Sequence, residues 1–197
     1  MKRLVHCAGR AYCGKSVACQ EVARQIGATV VSIPDEIRRV AMTKHAAVSR
    51  AILASTAERL RSTVGVAGML NLIVPSILSA PTELVLVDGT NFAGDLAAFR
   101  HQCAGMRMLV ILIEASIYVR VANARQKGRD EIERSMTIQQ LLMEDIHLFD
   151  QSLNMLESRV HAHVTNDGTD SYIDDIIRHI ETWTVNGLRS PTSTTSY

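Results

Sequence analysis

The sequence predicts a three-layer α/β fold built on a five-stranded parallel sheet. Short apolar runs rich in β-branched residues alternate with longer segments whose apolar residues recur at helical spacing. Such alternation is typical of parallel strands joined by helices. The chain has 197 residues, 47% of them hydrophobic, which is enough for one domain with a sizeable core. We therefore expect a single domain over residues 1–185 and a polar, disordered tail over 186–197.

The elements can be placed in order along the chain. The predicted strands are 4–8, 29–33, 84–87, 108–113 and 160–164. Apolar positions at helical spacing predict a first helix over 16–26 and a last helix over 172–183. Residues 35–80 predict an all-helical arm between the second and third strands, and residues 117–158 a second helical insertion. Within it, a mostly apolar helical face comprises Ile138, Leu141, Leu142, Asp145, Ile146, Phe149, Leu153 and Leu156.

Composition excludes several classes of protein. There are 21 basic and 20 acidic residues, so no global field draws the molecule to nucleic acid or to an anionic membrane. The apolar run near the N-terminus stops at Gly9, too early for a signal peptide. Residues 64–78 fall short of the ~20 apolar residues that cross a bilayer. The four cysteines lack the spacing of metal ligands, so we expect reduced thiols and a cytoplasmic protein. We also expect no membrane partner.

A phosphate-binding motif lies between the first strand and the first helix. Residues 9–16 match G-x-x-x-x-G-K-[ST], in which glycines let the backbone wrap round phosphate oxygens. Lys15 would reach the β and γ phosphates, and the Ser16 hydroxyl would ligate Mg²⁺. The sequence therefore predicts a site for ATP and Mg²⁺, with GTP left open as the donor. Its predicted residues are Gly9, Arg10, Ala11, Tyr12, Cys13, Gly14, Lys15, Ser16 and Val17.

A carboxylate and a guanidinium follow the second strand, one helical turn apart. Asp35 and Arg38 have the spacing D-x-x-R and would lie on the cleft side of an open α/β sheet. With this pair, residues 3–182 resemble the small P-loop kinases, which include adenylate kinase-like, dephospho-coenzyme A kinase-like and polynucleotide kinases. The resemblance implies a P-loop kinase fold with a helical acceptor-binding arm (about 35–80) and a lid (about 117–135). The same spacing also fits an aspartate that caps a helix, followed by a surface arginine.

The resemblance also implies roles for individual residues. Asp35 would remove the acceptor's proton, and Arg38, with Arg39 beside it, would hold the acceptor. After the third strand, D-x-T-N is similar to the motif of the polynucleotide-kinase-like group, whose acceptor is a hydroxyl. It implies that Asp88 positions Mg²⁺ or the acceptor, and that Thr90 and Asn91 bind the acceptor. An Asp-Gly pair is also a common turn signal.

Two later segments extend the resemblance. Basic residues crowd one short stretch that is similar to a kinase lid: Arg120, Arg125, Lys127, Arg129 and Arg134. Arg125 and Arg129, four residues apart, are predicted to stabilise the transferred group. Asn166 and Gly168 follow the fifth strand in a turn that resembles the adenine-contacting turn of the same kinases.

The acceptor is left open between two classes. Residues 38–61 contain six basic residues and one acid, a local charge of +5 that implies a phosphate-bearing acceptor. One class is a polynucleotide hydroxyl, either a 5′ end or a hydroxymethyl group on a modified pyrimidine in DNA. The other is a small molecule, a nucleoside monophosphate or dephospho-coenzyme A. A nucleotide-binding partner without catalysis is a third hypothesis, which the presence of Lys15, Ser16, Asp35 and Arg38 disfavours. The oligomeric state is open.

Overall fold

The computed structural model describes residues 2–90, 93–148 and 160–186. It contains a five-stranded sheet in the order β2-β3-β1-β4-β5, and every pairing is parallel. The strands are β1 (Arg3–Ala8), β2 (Thr29–Ser32), β3 (Leu84–Thr90), β4 (Arg107–Ala115) and β5 (Ala162–Asn166). The predicted α/β class, strand number and strand direction are confirmed.

Helices cover both faces of this sheet. They are α1 (Lys15–Ile26), α2 (Ile33–Met42), α3 (Arg50–Leu70), α4 (Val74–Ser79), α5 (Ala93–Gln102), α6 (Ile117–Lys127), α7 (Glu131–Arg134), α8 (Ile138–Leu148) and α9 (Ser171–Asn186). Alternate side chains of β1 point to opposite layers, as the period of a strand requires. Leu4 packs with residues of α2, α4 and α5, whereas Val5 packs with residues of α1 and α9. The three-layer arrangement follows from this alternation.

The predicted helical arm between the second and third strands is confirmed. It consists of α2, α3 and α4, and Leu53 and Leu60 of α3 pack against the core beneath. At Gly65 the backbone of α3 leaves helical geometry (φ 68°, ψ 176°), so the arm bends there.

The second insertion contains α6, α7 and α8, and residues of α6, α8 and the segment between α7 and α8 form a small apolar cluster. The cluster comprises Val121, Ala124, Met136 and Leu141. Phe149, Leu153 and Leu156 of the predicted apolar face lie outside the described residues. Of the predicted tail, Asn186 is the last residue of α9, and residues 187–197 also lie outside the described residues. No helix in the described ranges is long and apolar enough to span a bilayer. All four cysteines are free thiols with buried side chains.

Candidate active site

The candidate site lies at the carboxyl edge of the sheet, around the central strand β1. The loop over residues 9–14 leaves β1 and enters α1. On the neighbouring strand, Asp88 pairs in register with Cys7 of β1 and with Ser32 of β2. Strand ends of an open parallel sheet form the crevice in which ligands bind. The topology therefore brings the phosphate-loop motif, Asp88 and the start of α2 to one edge.

Close packing explains both glycines of the motif. A Cβ on Gly9 would lie 2.2 Å from the carbonyl oxygen of Ile113, so the loop presses against β4. A Cβ on Gly14 would lie 2.5 Å from Asn166 Nδ2 and 2.9 Å from the Tyr172 hydroxyl. Both glycines also have positive φ, 146° and 100°, which side chains rarely allow. The loop therefore reaches this position only with glycine at both ends.

Side chains hold all the carbonyl groups of the loop. Lys15 Nζ donates to the carbonyl oxygens of Gly9 and Arg10, at 2.6 and 2.8 Å. The other donors are Arg120 Nε to Ala11 (2.8 Å), Asn123 Nδ2 to Tyr12 (2.9 Å), Asn166 Nδ2 to Cys13 (3.0 Å) and the Tyr172 hydroxyl to Gly14 (3.4 Å). With its carbonyl groups bonded to the protein, the loop has its amide groups left for an anion, apart from the Cys13 amide, which donates to the carbonyl oxygen of Arg10 at 3.4 Å.

The residues predicted to hold Mg²⁺ fit that ion. Asp88 is 3% exposed, and its Oδ1 has no hydrogen-bond partner in the part of the chain that the structure describes. A buried carboxylate oxygen without a partner is costly unless a cation or its water compensates it. Ser16, the residue after Lys15, is half-buried at the start of α1 and has no side-chain hydrogen bond to any described residue. Oxygen ligands of this kind suit Mg²⁺.

The pair after the second strand is intact, and Asp35 is not the helix cap. Ser32 caps α2, because its Oγ accepts from the backbone N–H of Asp35 at 3.2 Å. The carboxylate of Asp35 is free of that task and pairs with Arg38, with side chains 64% and 35% exposed. Arg39 pairs instead with Glu36 at 2.8 Å. The capping alternative for Asp35 is therefore wrong.

Two acceptor predictions cannot be placed. The backbone of Thr90 ends β3, but its side chain is not among those described, and Asn91 lies outside the described residues.

The two predicted lid arginines are bound within the lid. Arg125 Nε donates to the carbonyl oxygen of Met136 at 2.8 Å. Arg129 pairs with Glu133, a carboxylate with no exposed surface. Both guanidinium groups therefore hold the lid together, and any contact with a phosphate would use their remaining donors.

Lys127 is a cation of the predicted lid whose charge interacts with charges of the candidate site. It has no hydrogen bond or ion pair to another described residue. Crowding by surrounding protein lowers the pKa of its ammonium, helped by repulsion from Arg129 and Lys15 and opposed by attraction to Asp88 and Glu133. Sequence spacing favoured the arginines over Lys127.

Asn166 braces the loop from the other side. It is 4% exposed, bonds the carbonyl of Cys13, and accepts from the backbone N–H of Gly168 at 2.8 Å. A Cβ on Gly168 would lie 3.6 Å from Val119 Cγ2, so the turn packs against α6. Whether the turn also contacts adenine stays a prediction.

Other residues of the site were not predicted from the sequence. They are Asn123 and Tyr172, which hold loop carbonyls, and Asp145, which pairs with the buried Arg120. One signal for Asp145 was present, since a charged residue in an apolar helical face needs a buried partner.

Sequence comparisons find a distant relative and no matching family model. No family model matches the sequence. A UPF0200 protein from Methanosarcina mazei is 26% identical over 131 residues, which span 66% of this chain and 69% of that protein.

Solved structures resemble the chain over nearly its whole length. TT1252 from Thermus thermophilus has a TM-score of 0.63 at 13% identity, covering 92% of this chain and 97% of that one. A shikimate kinase from Acinetobacter baumannii, in complex with shikimate, has a TM-score of 0.55 at 17% identity, covering 95% of each chain. Shikimate kinase from Bacteroides thetaiotaomicron scores 0.53 at 12% identity, covering 94% and 99%. The chain therefore has the P-loop kinase fold.

Proposed function

We propose that the protein is an ATP-dependent phosphotransferase that moves the γ-phosphoryl group of ATP to a hydroxyl of a nucleotide-type acceptor. The main support for this proposal is the hydrogen bonding of the phosphate loop, in which protein donors hold every carbonyl group. A loop arranged in this way has backbone amides and the Lys15 ammonium with which to bind a triphosphate.

The donor side of the reaction uses α1 and β3. Lys15 would hold the β and γ phosphates once its bonds to the carbonyls of Gly9 and Arg10 are exchanged for phosphate oxygens. Ser16 and Asp88 would hold Mg²⁺, which neutralises charge on the phosphate oxygens when bound. Lys127 supplies a further positive charge from the lid.

The acceptor side uses the start of α2. The carboxylate of Asp35 would take the proton of the acceptor hydroxyl, and Arg38 would orient the acceptor. The acceptor oxygen then bonds to the γ phosphorus, the bond from that phosphorus to the β–γ bridging oxygen breaks, and ADP leaves. A phosphate acceptor is already ionised and needs no such base, so the Asp35–Arg38 pair favours a hydroxyl.

Charge on the arm favours a small acceptor. Asp35 and Glu36 pair with Arg38 and Arg39, so these two acids belong in the count of the arm's charge. Over residues 35–61, six basic residues then face three acids, and the surplus is +3 rather than +5. That surplus suits one or two phosphate groups better than an extended polyanion. A small molecule with both a phosphate and a free hydroxyl, such as dephospho-coenzyme A, fits both features.

A hydroxyl on DNA is the second candidate. Lys44 and Arg59 are exposed on the arm and would contact a phosphate backbone. The D-x-T-N motif, which resembles that of the polynucleotide-kinase-like group, favours a hydroxyl acceptor.

A transfer assay with γ-labelled ATP distinguishes the candidates. Dephospho-coenzyme A, nucleoside monophosphates, 5′-hydroxyl oligonucleotides and duplex DNA with 5-hydroxymethyluracil are offered in parallel. Label in dephospho-coenzyme A supports the proposal, and label confined to DNA supports the second candidate. Asp35→Asn should lose transfer while keeping its affinity for ATP. Binding of ATP with no label in any acceptor would contradict the proposed acceptor class.

A further inference from the structure

We propose that Asp145 of α8 and Arg120 of α6 are positioning residues, which hold the phosphate loop in its binding conformation. This inference rests on the proposed function, because it concerns the loop that would bind ATP. Neither residue lies in the phosphate-loop motif, and Asp145 is 134 positions from Ala11, the loop residue that it acts on.

The contact runs through a single guanidinium. Nη1 and Nη2 of Arg120 donate to the two carboxylate oxygens of Asp145, at 2.6 and 2.8 Å. The remaining guanidinium nitrogen of Arg120, Nε, donates to the carbonyl oxygen of Ala11 at 2.8 Å. The planar fork of arginine is thereby fixed at both ends, and lysine cannot reproduce this geometry.

Because Arg120 and Asp145 are both buried, each charge depends on the other for compensation. The side chains of Arg120 and Asp145 are 4% and 7% exposed, so neither charge is compensated by bulk water. Breaking a buried pair by removal of one partner leaves an uncompensated charge. The loop carbonyl of Ala11 would then lose its donor as well, because Arg120 would be free to turn away.

A second loop residue depends on the same carboxylate. Arg10 Nη1 lies 3.2 Å from Oδ2 of Asp145, with the Arg10 side chain 35% exposed. Asp145 therefore lies between two guanidinium groups, one within the loop and one that supports it. Without its negative charge these cations would repel each other, and both Arg10 and Ala11 would shift.

The test compares isosteric and charge-conserving variants with a matched control. Asp145→Asn keeps the shape but removes the charge, and Arg120→Lys keeps the charge but removes the fork. The control is Ile77→Val, which opens a small cavity in the core between α4 and the sheet without touching the loop. Each protein is titrated with ATP and Mg²⁺ by calorimetry. Amide hydrogen exchange is followed without nucleotide at Cys13, whose N–H donates to the carbonyl oxygen of Arg10 within the loop.

We expect Asp145→Asn and Arg120→Lys each to raise the Kd for ATP about tenfold or more and to speed exchange at the Cys13 amide. Ile77→Val should change neither quantity. A folded Asp145→Asn protein with wild-type affinity and wild-type exchange overturns the inference. If Asp145→Asn does not fold, Arg120→Lys decides by the same two readouts. If wild type binds no ATP, the proposed function fails, whereas loop exchange still decides the positioning role.

Discussion

The phenol of Tyr12 donates a 2.9 Å hydrogen bond to Oε1 of Glu133, a carboxylate with no exposed surface. Tyr12 has a φ of 62°, the left-handed region that residues other than glycine rarely adopt. Its backbone carbonyl is held separately, by Asn123 of α6. The most strained residue of the phosphate loop is therefore tied to the lid at two points, once through its side chain and once through its backbone.

Removal of the phenol hydroxyl tests the first of these points. Tyr12→Phe leaves Glu133 with one fewer donor and should cost about 1 kcal/mol of unfolding free energy. In a chain of this size that loss lowers Tm by about 2–4 °C. Tyr118→Phe is the control, because Tyr118 is 72% exposed and should leave Tm unchanged. Equal Tm values for both variants, measured by calorimetry, would show that the Tyr12–Glu133 bond contributes nothing.

Two glycines with similar backbone geometry separate strain from steric fit. Gly14 and Gly105 have φ values of 100° and 91°, so alanine at either position costs about 1–2 kcal/mol of strain. A Cβ at Gly105 meets open space, whereas at Gly14 it meets Asn166 and Tyr172. We expect Gly14→Ala to lose ATP binding and Gly105→Ala to keep it, measured by titration. Loss of binding in both variants would mean that general destabilisation, rather than the fit of the loop at Gly14, is responsible.

The unpartnered oxygen of Asp88 predicts opposite effects on activity and stability. Asp88→Asn should lower the affinity for Mg²⁺, measured as the Mg²⁺ dependence of phosphoryl transfer, by between about 10- and 100-fold. Its unfolding free energy should not fall, because the substitution removes a buried charge whose Oδ1 has no described partner. Denaturant titration checks the second quantity. A marked loss of stability together with an unchanged Mg²⁺ dependence would make Asp88 a structural residue.

His6 predicts a pH dependence of stability. Burial lowers its pKa from 6.5 to about 3, with repulsion from Arg100 and Lys15 adding to the effect. Between these values the unfolded chain binds a proton that the folded chain does not, so stability is lost as pH falls. The loss is at most about 1.4 kcal/mol per pH unit, and above pH 6.5 this contribution is fully present.

The variant His6→Asn isolates this contribution from that of the carboxylates. The difference in unfolding free energy between wild type and His6→Asn should decrease as pH falls from 7 to 5. Denaturant titrations at several pH values measure it. Parallel curves for the two proteins would contradict the neutral, buried state of His6.

Most of the fold could be predicted because it depends on local patterns. The five apolar runs lie within a few residues of the observed strands, and the phosphate loop lies between β1 and α1 as its motif requires. Helix α2 begins earlier than predicted, since Ser32 rather than Asp35 caps it. Capping depends on which side chain reaches the free N–H groups, and both serine and aspartate can do so.

The support of the loop could not be predicted in the same way. Arg120, Asn123, Asn166 and Tyr172 come from three separate elements, and only the tertiary structure brings them to adjacent carbonyls. Spacing on a helix favoured Arg125 and Arg129 among the lid cations, but it carries no information about their tertiary partners. Arg125 bonds a backbone carbonyl and Arg129 a buried carboxylate, and Lys127 has no such partner among the residues described.

We expect the phosphate loop to bind a nucleoside triphosphate through Lys15. The most direct measurement is a calorimetric titration of ATP with Mg²⁺ into the wild-type chain and into Lys15→Met. Wild type should bind with one site, and Lys15→Met should bind about tenfold more weakly or worse, because charge-assisted hydrogen bonds contribute about 1.5–3 kcal/mol. Equal affinity in the two folded proteins, or no binding by wild type, would show that the loop is not a triphosphate site that depends on Lys15.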